Sequence, residues 1–103
     1  MEAKVIRCNG AIEQHKILAK TPHTRMVVAK QLIGAQAIDT VVLTRKEGMA
    51  DEVMLVDDQG HWKKLPENEE ATRLYHGVCR PGTTHQIRGD VVIVHDADLG
   101  EEW

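Results

Sequence analysis

Between Tyr75 and Asp96 the chain reads YHGVCRPGTTHQIRGDVVIVHD, a dense run of side chains able to bind or react. Arg80, Thr83, Thr84, His85, Gln86 and Arg88 combine two guanidinium forks with hydroxyl, imidazole and amide groups. Charge-assisted, directional donors of that kind suit a phosphate or carboxylate, and Gly82 would let the backbone approach it closely. The same span spaces His76, Cys79, His85 and His95 as H-x2-C-x5-H-x9-H. Zinc accepts such ligands, with Asp96 available behind them, although the spacing follows no standard zinc pattern. Cys79 paired with His85 or His76, and oriented by Asp96, would be a nucleophile and its base. None of the local signatures of cysteine nucleophiles surrounds it. No GxxxxGK[ST] or GxGxxG loop is present, so neither familiar nucleotide cradle applies.

Trp62 and Trp103 are the only tryptophans, and both lie in polar surroundings, GHWKKL and GEEW. Exposed, they would anchor a protein partner. The first reading of Trp62 is that it covers one end of a sheet. His23 and His61 fall in expected loops and are read as merely solvated.

The elements that must hold these groups follow from turn and cap chemistry. Asn9-Gly10 between KVIRC and AIEQHKILA predicts a hairpin closed by a type I′ turn. In TPHTRMVVAKQLIGA, Thr21 caps a helix, Pro22 takes its first position and Gly34 ends it, with Val28, Ala29, Leu32 and Ile33 as the apolar stripe. IDTVVLTR and DEVMLVDD read as strands around the turn KEGMA, and HWKKL as a short further strand. Asn68 caps a second helix, whose apolar face would be Ala71, Leu74, Tyr75 and Val78. DVVIV is short, apolar and β-branched, as expected of a strand buried on both faces. Residues 97–103 read as a surface tail. The expected order is ββαββ(β)αβ: a single α+β domain over 1–103, with a mostly antiparallel sheet and two helices on one face.

At 103 residues the chain supports one core, built without phenylalanine from Val, Ile, Leu, Met and Ala. A net charge of −3 excludes a general nucleic-acid binder and is too mild for a DNA mimic. With few aromatics, a stacking platform for single strands is excluded as well. No bilayer-length apolar run and no signal-peptide pattern occur, so a cytoplasmic protein without membrane association is expected. Cys8 and Cys79 would remain thiols there.

The pieces LIGAQAIDTVVL (Leu32–Leu43), LVDDQG (Leu55–Gly60), LPENEEAT (Leu65–Thr72) and GDVVIV (Gly89–Val94) resemble a small family of uncharacterised domains common in phages, plasmids and actinobacterial genomes. The resemblance covers most of the chain and rests on strand and turn chemistry. It implies a fold and a mobile-element setting, and it assigns no activity.

Together these readings give an expected function. The protein would be a non-catalytic binding module of a phage or other mobile element. It would inhibit or otherwise act on a host protein, or sequester a small phosphorylated ligand through residues 79–88. The alternative is a zinc-binding protein or a Cys/His-dependent enzyme. Open sheet edges, the hairpin's above all, would allow a homodimer or higher homo-oligomer.

Overall fold

A computed structural model describes residues 1–44 and 51–99. The KEGMA turn, Trp103 and the last part of the expected tail lie outside the described residues.

β1 (Glu2–Ile6) and β2 (Ile12–Lys16) form the N-terminal hairpin, in register from Glu2 opposite Lys16 to Ile6 opposite Ile12. Its turn differs from expectation. Gly10 N donates to the Arg7 carbonyl at 3.0 Å, Arg7 N donates to the Ala11 carbonyl at 2.9 Å, and Gly10 has φ +90°. Asn9 does not take a positive φ; its Oδ1 instead accepts from Ala11 N at 2.9 Å. The loop is therefore a three-residue one, closed by a glycine bulge, rather than a two-residue type I′ turn.

α1 (Pro22–Ile33) starts on a reciprocal Thr21–Thr24 capping box with Pro22 in its first turn, and ends at Gly34 with φ +67°. β3 (Ile38–Thr44) and β4 (Glu52–Asp57) pair antiparallel, with a register shift between Val42 and Thr44. The HWKKL segment is no strand: Lys63 N reaches back to the Gln59 carbonyl and Lys64 N to that of His61, giving a run of turns. α2 (Glu69–His76) begins at Asn68 and stops at Gly77. Val78 therefore lies past the helix end and is 45% exposed, not part of the apolar face.

β5 (Val91–His95) enters the centre of the sheet, giving the order β2-β1-β5-β4-β3, all antiparallel. Alternate residues of its strands face opposite cores. Ala3, Val5, Val53, Leu55, Val92 and Val94 pack with Ala29 and Ile33 of α1. Ile6, Met54, Val56, Val91 and Ile93 pack with Ala71, Leu74 and Tyr75 of α2. The two long helices thus lie on opposite faces, not on one. The physical reason is in β4 and β5 themselves: strands apolar on both sides require cover on both.

The expected tail also changes. Asp96–Leu99 form a helical turn, α3, and Leu99 is fully buried against the α1 side. That burial contributes about 2 kcal/mol. Asp96 N donates to the Asp51 carbonyl at 2.9 Å, and Arg25 holds the Asp98 carbonyl.

Candidate functional site

On the α2 face, the end of the sheet where β4 finishes and β5 begins is crossed by residues 83–88. Among the described residues the backbone of this stretch forms one isolated bridge, Glu67 with Arg88, and side-chain and backbone groups around it supply further hydrogen bonds. Thr72 Oγ1 accepts from Ile87 N at 2.9 Å, Asn68 N donates to the Ile87 carbonyl at 2.8 Å, and the His76 ring Nε2 lies 2.7 Å from the His85 carbonyl. From the other side, His61 Nε2 lies 2.8 Å from the Gln86 carbonyl. A protonated Nε2 donates in both imidazole contacts, since a carbonyl can only accept.

Anchored in this way, the segment closes a cleft of about 240 Å³ with the ends of β3 and β4 and the turn after β4. Its wall is aromatic. The His61 and His85 rings lie 4.6 Å apart between centroids, tilted by 31°, and Tyr75 meets His85 edge-on at 5.9 Å. Asp39, Asp57 and Asp58 line the cleft with Arg88. Asp57 is already satisfied: its side chain is buried, receives Lys63 Nζ at 2.8 Å and accepts from Gln59 N at 2.9 Å. Asp39 and Asp58 are exposed. The Tyr75 hydroxyl is pushed above its ordinary value, first by its hydrogen bond with Cys79 and then by burial, with the negative charge of Asp39 adding to both.

Of the residues expected to hold an anion, His85, Gln86 and Arg88 line this cleft. Arg88 turns its donors inward, to the Leu65 carbonyl at 3.0 Å and Gln86 Oε1 at 3.3 Å. Arg80, Thr83 and Thr84 do not line it. Thr83 closes a turn, its N and Oγ1 both bonding the Arg80 carbonyl, with Pro81 and Gly82 (φ +89°) between them. Gly82 therefore serves the turn; a side chain there would meet open space. Arg80 therefore does not share this cleft with Arg88.

The expected zinc set does not converge either. His76 is the last residue of α2 and Cys79 lies just past it, whereas His95 pairs with Glu52 at the far end of β5, about 13 Å along the strand from Val91. Among the described residues, no group of three or more His, Cys, Asp or Glu is placed to hold a metal ion. The nucleophile arrangement separates for the same reason: Cys79 engages Tyr75, while Asp96 accepts from Asp51 N at 3.1 Å beside His95.

Trp62 covers no end of the sheet; it is 81% exposed. It stands next to His61, which is no idle surface histidine but half of the paired-ring wall. Sequence reasoning missed His61, Asp39 and Asp58 as neighbours of His85, because no local pattern ties residues so far apart. The one available signal was the composition of the DDQGHW turn, which carries two acids, an imidazole and a tryptophan together.

Among the described residues, no helix is long and apolar enough to cross a membrane. No family model matches the chain, and no curated protein and no solved structure is significantly similar to it.

Proposed function

We propose that this protein is a non-catalytic interaction module whose cleft receives a single planar cationic side chain, of the guanidinium kind, from a partner protein. The paired His61 and His85 rings beside the exposed carboxylates of Asp39 and Asp58 carry this reading. Flat rings take a guanidinium by stacking, and carboxylates take its N–H fork. At about 240 Å³ the cleft is below the usual size of a small-molecule site and suits one inserted side chain. Exposed Trp62, on the same turn as His61, would extend the contact onto the partner's surface. In the mobile-element setting that the sequence resemblance implies, the partner would be a host protein.

Sequestration of a small phosphorylated ligand is the competing reading, and a titration separates the two. Arginine amide and inorganic phosphate are each added while NMR signals of His61, Tyr75 and His85 are followed. Arginine amide is expected to shift them in a saturable way, and Asp39→Asn with Asp58→Asn to weaken the effect by ~10-fold. Saturable shifts with phosphate instead, lost in Arg88→Ala, would replace this reading with the anion site.

A further inference from the structure

We infer that the free edge of β2 is a self-association surface, joining two copies of the chain about a two-fold axis at Gln14 into one continuous sheet. This goes beyond the cleft, which β3 and β4 form toward the opposite edge of the sheet.

The hydrogen-bond parity of the hairpin supplies the first argument. Met1 and Ile17 exchange bonds of 2.8 Å in both directions, and Arg7 N donates to the Ala11 carbonyl at 2.9 Å. With the register that links these pairs, odd-numbered β2 residues bond β1, so Ile12, Gln14 and Lys16 direct their N–H and C=O groups outward. A second strand must therefore match even residues to even residues.

Side-chain chemistry then selects the register. With Gln14 opposite Gln14 of the second copy, every residue of β2 is paired. Glu13 then faces His15 of the second copy, and Ile12 faces its Lys16. Sliding one way places Glu13 against itself; sliding the other places His15 against itself. Like charges directly opposite are disfavoured, as with Glu13 against itself, and overlap is lost in both cases. In the Gln14-centred register the methylenes of Lys16 also cover Ile12, which is 58% exposed in the single chain.

The other edge of the sheet is less suited. β3 carries a register shift between Val42 and Thr44, the kind of irregularity that blunts an edge, whereas β2 is regular throughout. A two-fold pairing of β2 closes on itself and uses that edge once per chain, so assembly stops at two.

Sedimentation velocity at ~100 µM, with amide hydrogen exchange on the same sample, tests this. The expected result is a species of twice the 11.5 kDa chain mass. The amides of Gln14 and Lys16, which β1 does not bond, should exchange ~10-fold more slowly at high than at low concentration. Gln14→Pro removes a donor that β1 does not use, so it should give a folded monomer. A wild-type monomer at that concentration would overturn the inference. So would a dimer in which those amides exchange as fast as in dilute solution, or a dimer that survives Gln14→Pro. If that variant fails to fold, the exchange experiment on the parent chain decides alone.

Discussion

Asn68 is the position where one side chain carries most. It is buried, its Oδ1 caps α2 by accepting from Ala71 N at 3.1 Å, and its Nδ2 donates to the carbonyls of Ile6 at 2.9 Å and Gly89 at 3.0 Å. Aspartate is an equally good helix cap, so a purely local role would make Asn68→Asp nearly neutral. Here the replacement turns a two-armed donor into a carboxylate facing two carbonyl oxygens in a buried site. A loss of about 3 kcal/mol is expected from urea unfolding; a variant as stable as the parent would reduce Asn68 to a cap. Glu13 gives a prediction in pH. The Arg7 guanidinium, through hydrogen bonds at 3.0 Å, and then the His15 ring hold its carboxyl down at about 2. Its folded value lies below the unfolded value near ~4.3, so its contribution is complete above that pH and is lost as pH falls toward 2. Thermal melts should therefore fall across that window in the parent and fall less steeply in Glu13→Gln.

At the scale of elements, the turn after β4 and the 83–89 segment are held so close that no side chain fits between them. A Cβ on Gly60 would stand 2.8 Å from the Arg88 carbonyl oxygen, a backbone atom that cannot swing aside. Gly60→Ala should cost about 2 kcal/mol, lowering Tm by about 10 °C, because the floor of the cleft must open. An unchanged Tm would mean that the two backbones separate freely. Elements such as these were legible in the chain where the signal is local: Thr21, Pro22 and Gly34 bound α1, and Asn68 starts α2. The hairpin was legible too, but its turn type was not, since Asn-Gly also suits a loop in which only Gly10 takes a positive φ. What could not be read is which helix lies on which face. That follows from how the connections cross the sheet, and the clue was the lack of alternation in EVMLVD and VVIVH. Leu99 went unread for a related reason: a single apolar residue among acids gives no period, yet α1 has a place for it.

For the whole molecule, the arrangement is a sheet between two unlike layers. α1 and α3 close one side with apolar residues, whereas α2 closes the other with help from the turn after β4 and the 83–88 segment. That second layer is where the imidazoles, acids and Tyr75 gather, because irregular backbone there is tied down by side chains and leaves a gap beside them. Only half of the site was visible as a run of residues. The 85–88 part is contiguous, but His61 and Asp39 reach it from separate parts of the chain, and only long-range folding brings them together. Arg7 ties three elements together: it donates to Asp90 at 3.0 Å and to the Leu32 carbonyl at 2.7 Å while pairing with Glu13, so the hairpin, α1 and the entry to β5 share one side chain.

The central place of β5 has a consequence for the order in which this chain can fold. The β1–β2 and β3–β4 hairpins are local and can form early, but neither touches the other in the sheet. Each holds an inner edge open until residues 91–95 insert between them, so both cores close in the same event. On a ribosome, these elements would wait as two unjoined hairpins until β5 emerged, and those two open edges are where mispairing or chaperone capture would begin.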